Sequence, residues 1–255
     1  MKRMFCPMNL IASLTWEWTW PKLIPYLVIG ALVLLFAITM FSLASFEKQF
    51  VRQFVPIEAG TNLAPSRYFD AMNEAGQALG FFHCGNYVQH RKGLYKAYLA
   101  LWLTPERTAL ALICGGKIGG KDYKKTFQIS RLNEDRLLVT RDDFSAPDLS
   151  GLYDLEIVLN ADLPELYARH QARLAQYLED GVAFSRGSAL AAYEEMEAAR
   201  ARELVHAGLA KFLDMQENSF RYTLKGALLM TIRSIQQAGD SEKYLERSKK
   251  KRPGS

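Results

Sequence analysis

From Leu23 to Phe46 the chain runs 24 residues without an Asp, Glu, Lys, Arg, His, Asn or Gln. At about 1.5 Å per residue, a helix of that length reaches about 36 Å, enough to cross a hydrocarbon core of about 30 Å with some tilt. Its flanks suit that role. Trp16, Trp18 and Trp20 precede it and Tyr26 falls in its first turn, and such rings prefer the headgroup region. Pro21 and Pro25 sit early, where a missing N–H costs little. Lys22 marks one edge; Glu47, Lys48 and Arg52 mark the other. A core helix of a soluble domain is usually shorter and broken by polar residues. A cleaved signal peptide has a shorter apolar core that starts earlier, and Ala44-Ser45-Phe46 is a poor small-x-small cleavage site. The pattern predicts a single-pass transmembrane helix of the signal-anchor kind.

Beyond the anchor the periodicity changes from segment to segment. Residues 47–65 read as a linker, with Pro56, Gly60 and Pro65 as breakers. Ser66 to Leu79 reads as a helix with Tyr68, Met72, Ala75 and Leu79 on one stripe and Gly80 as its stop. Phe81–Cys84, Leu94–Leu103, Thr108–Cys114, Lys125–Leu132, Leu137–Thr140 and Tyr153–Leu159 read as strands joined by short turns, an antiparallel meander. In the fourth of these, Phe127 and Ile129 take one face, and Thr126, Gln128 and Ser130 the other. Asp162, Pro164 and Glu165 announce a helix start. The helix they open would bury Leu163, Leu166, Tyr167, Leu174, Tyr177 and Leu178. Ser188 opens an Ala-rich helix expected to run to about Met215, with Leu204, Gly208 and Phe212 continuing its apolar face. A last helix is expected from Leu224 to Gln237, stopping at Gly239, with Leu224, Leu228, Thr231, Ile232 and Ile235 inward. The predicted class is α+β: a single N-terminal transmembrane helix followed by one domain with an antiparallel β-meander and packed C-terminal helices. The predicted organisation is a tail (1–22), the membrane helix (23–46), the linker (47–65), the domain (66–240) and a basic disordered tail (241–255).

Composition narrows the class of partner. The net charge is +5, and three of the 32 basic and one of the 27 acidic residues precede the anchor. The remaining surface is nearly balanced, which does not suit a specific nucleic-acid binder. The basic residues beside the anchor are Lys2, Arg3 and Lys22 on one side and Lys48, Arg52 and Arg67 on the other, so charge does not choose an orientation. The bilayer is the expected partner. Gly30, Ala37 and Ala44 recur every seven residues and would let a second helix, from itself or another membrane protein, approach closely. Cys6, Cys84 and Cys114 are too few and too unevenly spaced for a disulfide framework, although Cys84 and Cys114 could bridge in an oxidising compartment.

Candidate chemistry is sparse. Gly115-Gly116-Lys117-Ile118-Gly119-Gly120-Lys121-Asp122 fits the spacing of a phosphate-binding loop, making Gly115, Gly120 and Lys121 weak cofactor-binding candidates. Such a loop also needs a Ser or Thr after the Lys and a helix N-terminus at the phosphates. Here Asp122 follows and then a strand, so a cationic hairpin is the plainer reading. His83 adjoins Cys84, but strand neighbours point to opposite faces, so any base for Cys84 would have to be His170 or His206. His170 falls on the apolar face of its helix, as a hydrogen-bonded core-edge residue would. Asp142, Asp143, Asp148 and Asp154 lack the alternation of a calcium loop and suit turns and caps. Glu197 and Arg200 are an i,i+3 pair on a charged helix face. The run Ser248–Pro253 is basic and could touch anionic lipid. No catalytic residue, metal ligand set or cofactor is assigned.

The expectation is a membrane-tethered interaction or scaffolding domain without catalysis. Two alternatives are a membrane-tethered enzyme and a small-ligand or lipid-binding domain. Either would use the His83/Cys84 strand or the Gly115–Lys121 loop.

Overall fold

The computed structural model describes residues 20–45, 49–50, 54–58, 61–90, 96–118, 121–132, 136–143, 148–177 and 182–251. It contains a seven-stranded sheet, a three-stranded sheet and five helices among those residues. The apolar run forms α1 (Trp20–Ser45), and Phe46 lies outside the described residues.

The large sheet has the order β2 (Val55–Pro56), β3 (Phe82–His90), β4 (Lys96–Leu103), β5 (Leu110–Ile118), β6 (Lys121–Arg131), β7 (Leu137–Arg141) and β8 (Tyr153–Ile157). Its central strands are continuous apolar runs: Leu99–Leu103 and Ala109–Ile113 are buried throughout. Such runs need cover on both faces. Helix α2 (Ser66–Ala78) and helix α3 (Leu163–Leu174) cover one face, over Ala100, Trp102, Ala111 and Ile113. Helix α4 (Ala189–His206) covers the other through Ala189 and Met196, over Leu99, Leu101, Leu110 and Leu112. Helix α3 begins as its sequence announces, with Asp162 Oδ1 accepting from the Glu165 backbone N–H at 2.8 Å.

Several expectations are corrected here. The last strand does not continue the meander: β8 pairs parallel with β7, so the chain must cross between them rather than turn back. The stretch read as a linker supplies two strands. One is β2, and the other is β1 (Gln49–Phe50) in the small sheet. The Ala-rich helix stops at His206, not near Met215. Gly208 takes φ +69°, a left-handed stop rather than part of an apolar face. The chain then forms a hairpin, β9 (Ala210–Phe212) and β10 (Ser219–Tyr222), which completes the small sheet with β1. Helix α5 runs from Leu224 through Gly239 to Lys251, so most of the stretch expected to be a disordered tail is helical.

Helix α4 joins the two sheets. Its amino-terminal half packs on the large sheet. Ala198, Ala201 and Leu204 pack on the small one with Leu209, Ala210, Phe220, Tyr222 and, from α5, Ala227 and Met230. Met40 of α1 joins this second core, and α1 runs against both α5 and β10.

Candidate functional site

Polar residues concentrate where α3 meets the large sheet. His170 is fully buried, although a histidine is seldom placed there without partners. Ser130 Oγ donates to the Thr108 carbonyl at 2.7 Å, so it accepts from His170 Nε2 at 2.8 Å. Arg173 Nη1 donates to Thr140 Oγ1 at 2.9 Å, leaving the Thr140 hydrogen for His170 Nδ1 at 3.0 Å. The network therefore assigns a neutral imidazole protonated at Nε2. Burial, and then the nearby Arg173 guanidinium, push the His170 pKa down to about 3. Arg173 also donates to Val139 O at 2.7 Å and pairs with Asp154 at 2.7 Å, and Asp154 accepts from the Tyr177 hydroxyl. Ser, His and an acid are thus all present, but the order is wrong for a nucleophile. The serine hydrogen goes to a backbone carbonyl, and the imidazole has no lone pair open to a substrate. What this arrangement does is fix α3 to β6, β7 and β8.

Beside it lies Gln128, also fully buried, on the same face of β6. It sits between Thr126, bonded to the Tyr68 hydroxyl of α2 at 2.7 Å, and Ser130, bonded to His170 of α3. Both polar atoms of its side chain lack a hydrogen-bond partner among the described residues, as do Asn73 Oδ1 and Gln171 Nε2. Buried amides of this kind are suited to ordered water or another small polar occupant.

A second polar group joins α4 to the sheet. Glu197 accepts from the Tyr153 hydroxyl at 2.7 Å and pairs with Arg200 at 2.7 Å; Arg200 Nε also faces Asp148 at 3.4 Å. The Glu197–Arg200 pair is therefore partly buried at the α4–sheet junction rather than on a solvated face. Asp148 in turn accepts from the Ser150 backbone and hydroxyl, ordering the crossover that leads into β8. Burial, reinforced by Glu197, pushes the Tyr153 hydroxyl well up.

The residues singled out from sequence are scattered. Gly115 is an interior residue of β5, paired with Tyr98 and Lys124. A Cβ there would come within 2.7 Å of the Phe69 ring, so glycine lets α2 approach the sheet. Gly120 lies outside the described residues. Lys121 opens β6 opposite Ile118, so a strand and not a helix follows the glycines. Lys125 stacks near the Tyr123 and Phe127 rings. His83 packs on the Trp102 ring at 4.8 Å and bonds Asn86 at 3.0 Å. Cys84 faces the α4 side, while His170 lies on the α2–α3 side, so the sheet separates them. Neither Cys84 nor Cys114 is in a disulfide. Strand β4 lies between theirs, which puts them roughly 10 Å apart, beyond disulfide reach. Asp142 accepts from the Thr126 backbone at 2.8 Å. No group of three His, Cys, Asp or Glu suited to a metal occurs among the described residues. On α1, Gly30 has open space around it and Ala37 is exposed; the side chain of Ala44 lies outside the described residues.

No family model matches the chain, and no curated protein and no solved structure matches it.

Proposed function

We propose that this chain is a single-pass membrane-anchored protein whose α+β domain is a non-catalytic interaction or scaffolding module. The observation that carries the anchor is α1. Its stretch Leu23–Phe41 is long and apolar enough to cross a membrane, and no residue of it is fully buried in the protein. Leu27, Val28, Ile29, Leu32, Val33, Leu34 and Leu35 are all more than half exposed. Each would cost about 1.5–3 kcal/mol to leave in water rather than in an apolar phase. Met40 packs into the core of the small sheet, which favours a retained anchor over a removed leader. After carbonate washing of cell membranes, the intact chain is expected in the pellet and to move to the supernatant only with detergent. An intact chain in the wash would remove the proposal.

The non-catalytic part rests on how the chemically able side chains are used. His170 is enclosed and neutral, its neighbours Ser130 and Arg173 are committed to structural bonds, and Cys84 is not activated. Burial pushes the Cys84 thiol up, with the Arg186 guanidinium only partly opposing it. A nucleophilic cysteine needs the reverse. In the intact protein at pH 7.5, alkylation of Cys84, followed by peptide mass spectrometry, should be several-fold slower than that of glutathione. Alkylation faster than glutathione would favour the enzyme alternative.

A further inference from the structure

Helix α5 turns its most apolar side outward. Leu224, Leu228, Ile232 and Ile235 are 60%, 38%, 38% and 59% exposed, while Ala227 and Met230 are buried against the small sheet and Thr231 is buried beside them. At about 100° per residue the four exposed residues fall within an arc of about 80°. The expected inward face is thus a continuous outward stripe, with Thr231 alone of the five predicted residues pointing in. Lys225 borders that arc and Arg233 lies further round; both are exposed. No acidic residue occurs from Leu224 to Gln237.

The position of α5 relative to α1 identifies what covers the stripe. Met40 shares a core cluster with Ala227 and Met230, and the two helices run against each other. The uncharged run that begins at Leu23 ends at Phe46, and Glu47, seven residues beyond Met40, is the first charged residue after it. With α1 entering the bilayer at Leu23, a rise of about 1.5 Å per residue sets Met40 about 25 Å along a hydrocarbon core of about 30 Å, close to its far boundary. Packed helices lie about 8–10 Å apart, so the same contact holds the start of α5 at that depth. We propose that the amino-terminal half of α5 lies in the membrane interface. Leu224, Leu228, Ile232 and Ile235 enter the acyl boundary, and Lys225 and Arg233 reach the phosphates of anionic headgroups. This inference rests on the reading of α1 as a membrane span.

The test uses the full chain reconstituted in vesicles of phosphatidylcholine and phosphatidylglycerol. A photoreactive benzoylphenylalanine is placed singly at Val33, Leu228, Ile235 or the exposed Glu165 of α3; all four are exposed, so the fold should tolerate the probe. Lipid adducts at Leu228 and Ile235 are expected within about threefold of those at Val33, with Glu165 at background. Adducts at Val33 but none from the stripe, or stripe adducts to protein in place of lipid, overturn the interfacial placement and leave the anchor standing. No lipid adduct at Val33 overturns the anchor and this inference with it.

Discussion

Gly226→Ala is expected to lower stability by about 3 kcal/mol, although alanine is the better helix former by about 1 kcal/mol. The cause is a close approach of backbone to backbone. A Cβ on Gly226 would lie 1.9 Å from the Leu209 carbonyl oxygen and 2.8 Å from its carbon. No side-chain rotation relieves such a contact, and neither partner is free to withdraw. The Leu209 carbonyl accepts from Thr223 N–H at 2.9 Å, and Leu209 N–H donates to Leu204 at 2.8 Å. Thr223 Oγ1 donates to the Gly208 carbonyl at 2.9 Å and accepts from the Gly226 N–H at 3.1 Å. The extra methyl must therefore lift α5 off the hairpin or break the turn that launches the helix. Gly187→Ala is the control. A Cβ there meets nothing within 4 Å, and stability should change by no more than about 0.5 kcal/mol. Denaturant melts of the full chain in detergent, followed by near-ultraviolet circular dichroism, read both. A Gly226→Ala protein as stable as the wild type would mean that this junction is not packed as described.

That junction was hidden in the sequence, and the reason is physical. From Ser188 onward the apolar spacing stays helical past His206, so nothing in the periodicity marks the break; what ends the helix is the left-handed backbone at Gly208. The strands that follow are three and four residues long, too short to show an alternation. The start of α3 was legible because its signal is local: Asp162, Pro164 and Glu165 act within one turn. The stop of α2 at Gly80, with φ +72°, was legible for the same reason. Its face was legible only to within one residue. Tyr68, Met72, Ala75 and Leu79 are partly buried, whereas Phe69 is the side chain inserted most fully.

The polar core shows a different limit. Alternation correctly separated Thr126, Gln128 and Ser130 from Phe127 and Ile129, but it says nothing of what covers each face. Two helices distant in the chain, α2 and α3, enclose the polar phase, so residues that look solvated become a buried network. The same ambiguity inverted α5: its apolar stripe is real, but the domain is packed against the neighbouring arc that holds Ala227 and Met230. Gly226 and Ala227 on that side allow a closer approach than leucines would, and the stripe of larger side chains is left for another environment.

His170→Gln is expected to lower stability at pH 7.5 by about 1–3 kcal/mol, since an amide can replace only part of the imidazole's bonding and leaves buried hydroxyls short of a partner. The more diagnostic result is how that difference changes with acid. The native His170 pKa lies near 3, against an ordinary value of 6.5. Between those values the unfolded chain binds a proton that the native protein does not, so the histidine makes stability fall as the pH falls from 6.5 toward 3. The loss amounts to about 1.4 kcal/mol per pH unit, or roughly 2.5 kcal/mol by pH 4.5. Asp142 acts in the opposite sense. Burial raises its pKa to about 6 from 3.8, so between those values the native protein holds the extra proton, and acid favours folding. In the wild type Asp142 offsets only part of the histidine's effect, and Asp154, held down by the Tyr177 hydroxyl, adds to the loss in acid, so the wild-type profile alone does not isolate His170. Asp142 is common to both proteins and cancels in their difference. The gap between wild type and His170→Gln should therefore shrink by roughly 2.5 kcal/mol from pH 7.5 to pH 4.5, measured by urea unfolding at intermediate steps. A gap that stays constant with pH would show a histidine that titrates normally, which the enclosed Ser130–His170–Thr140 chain does not permit.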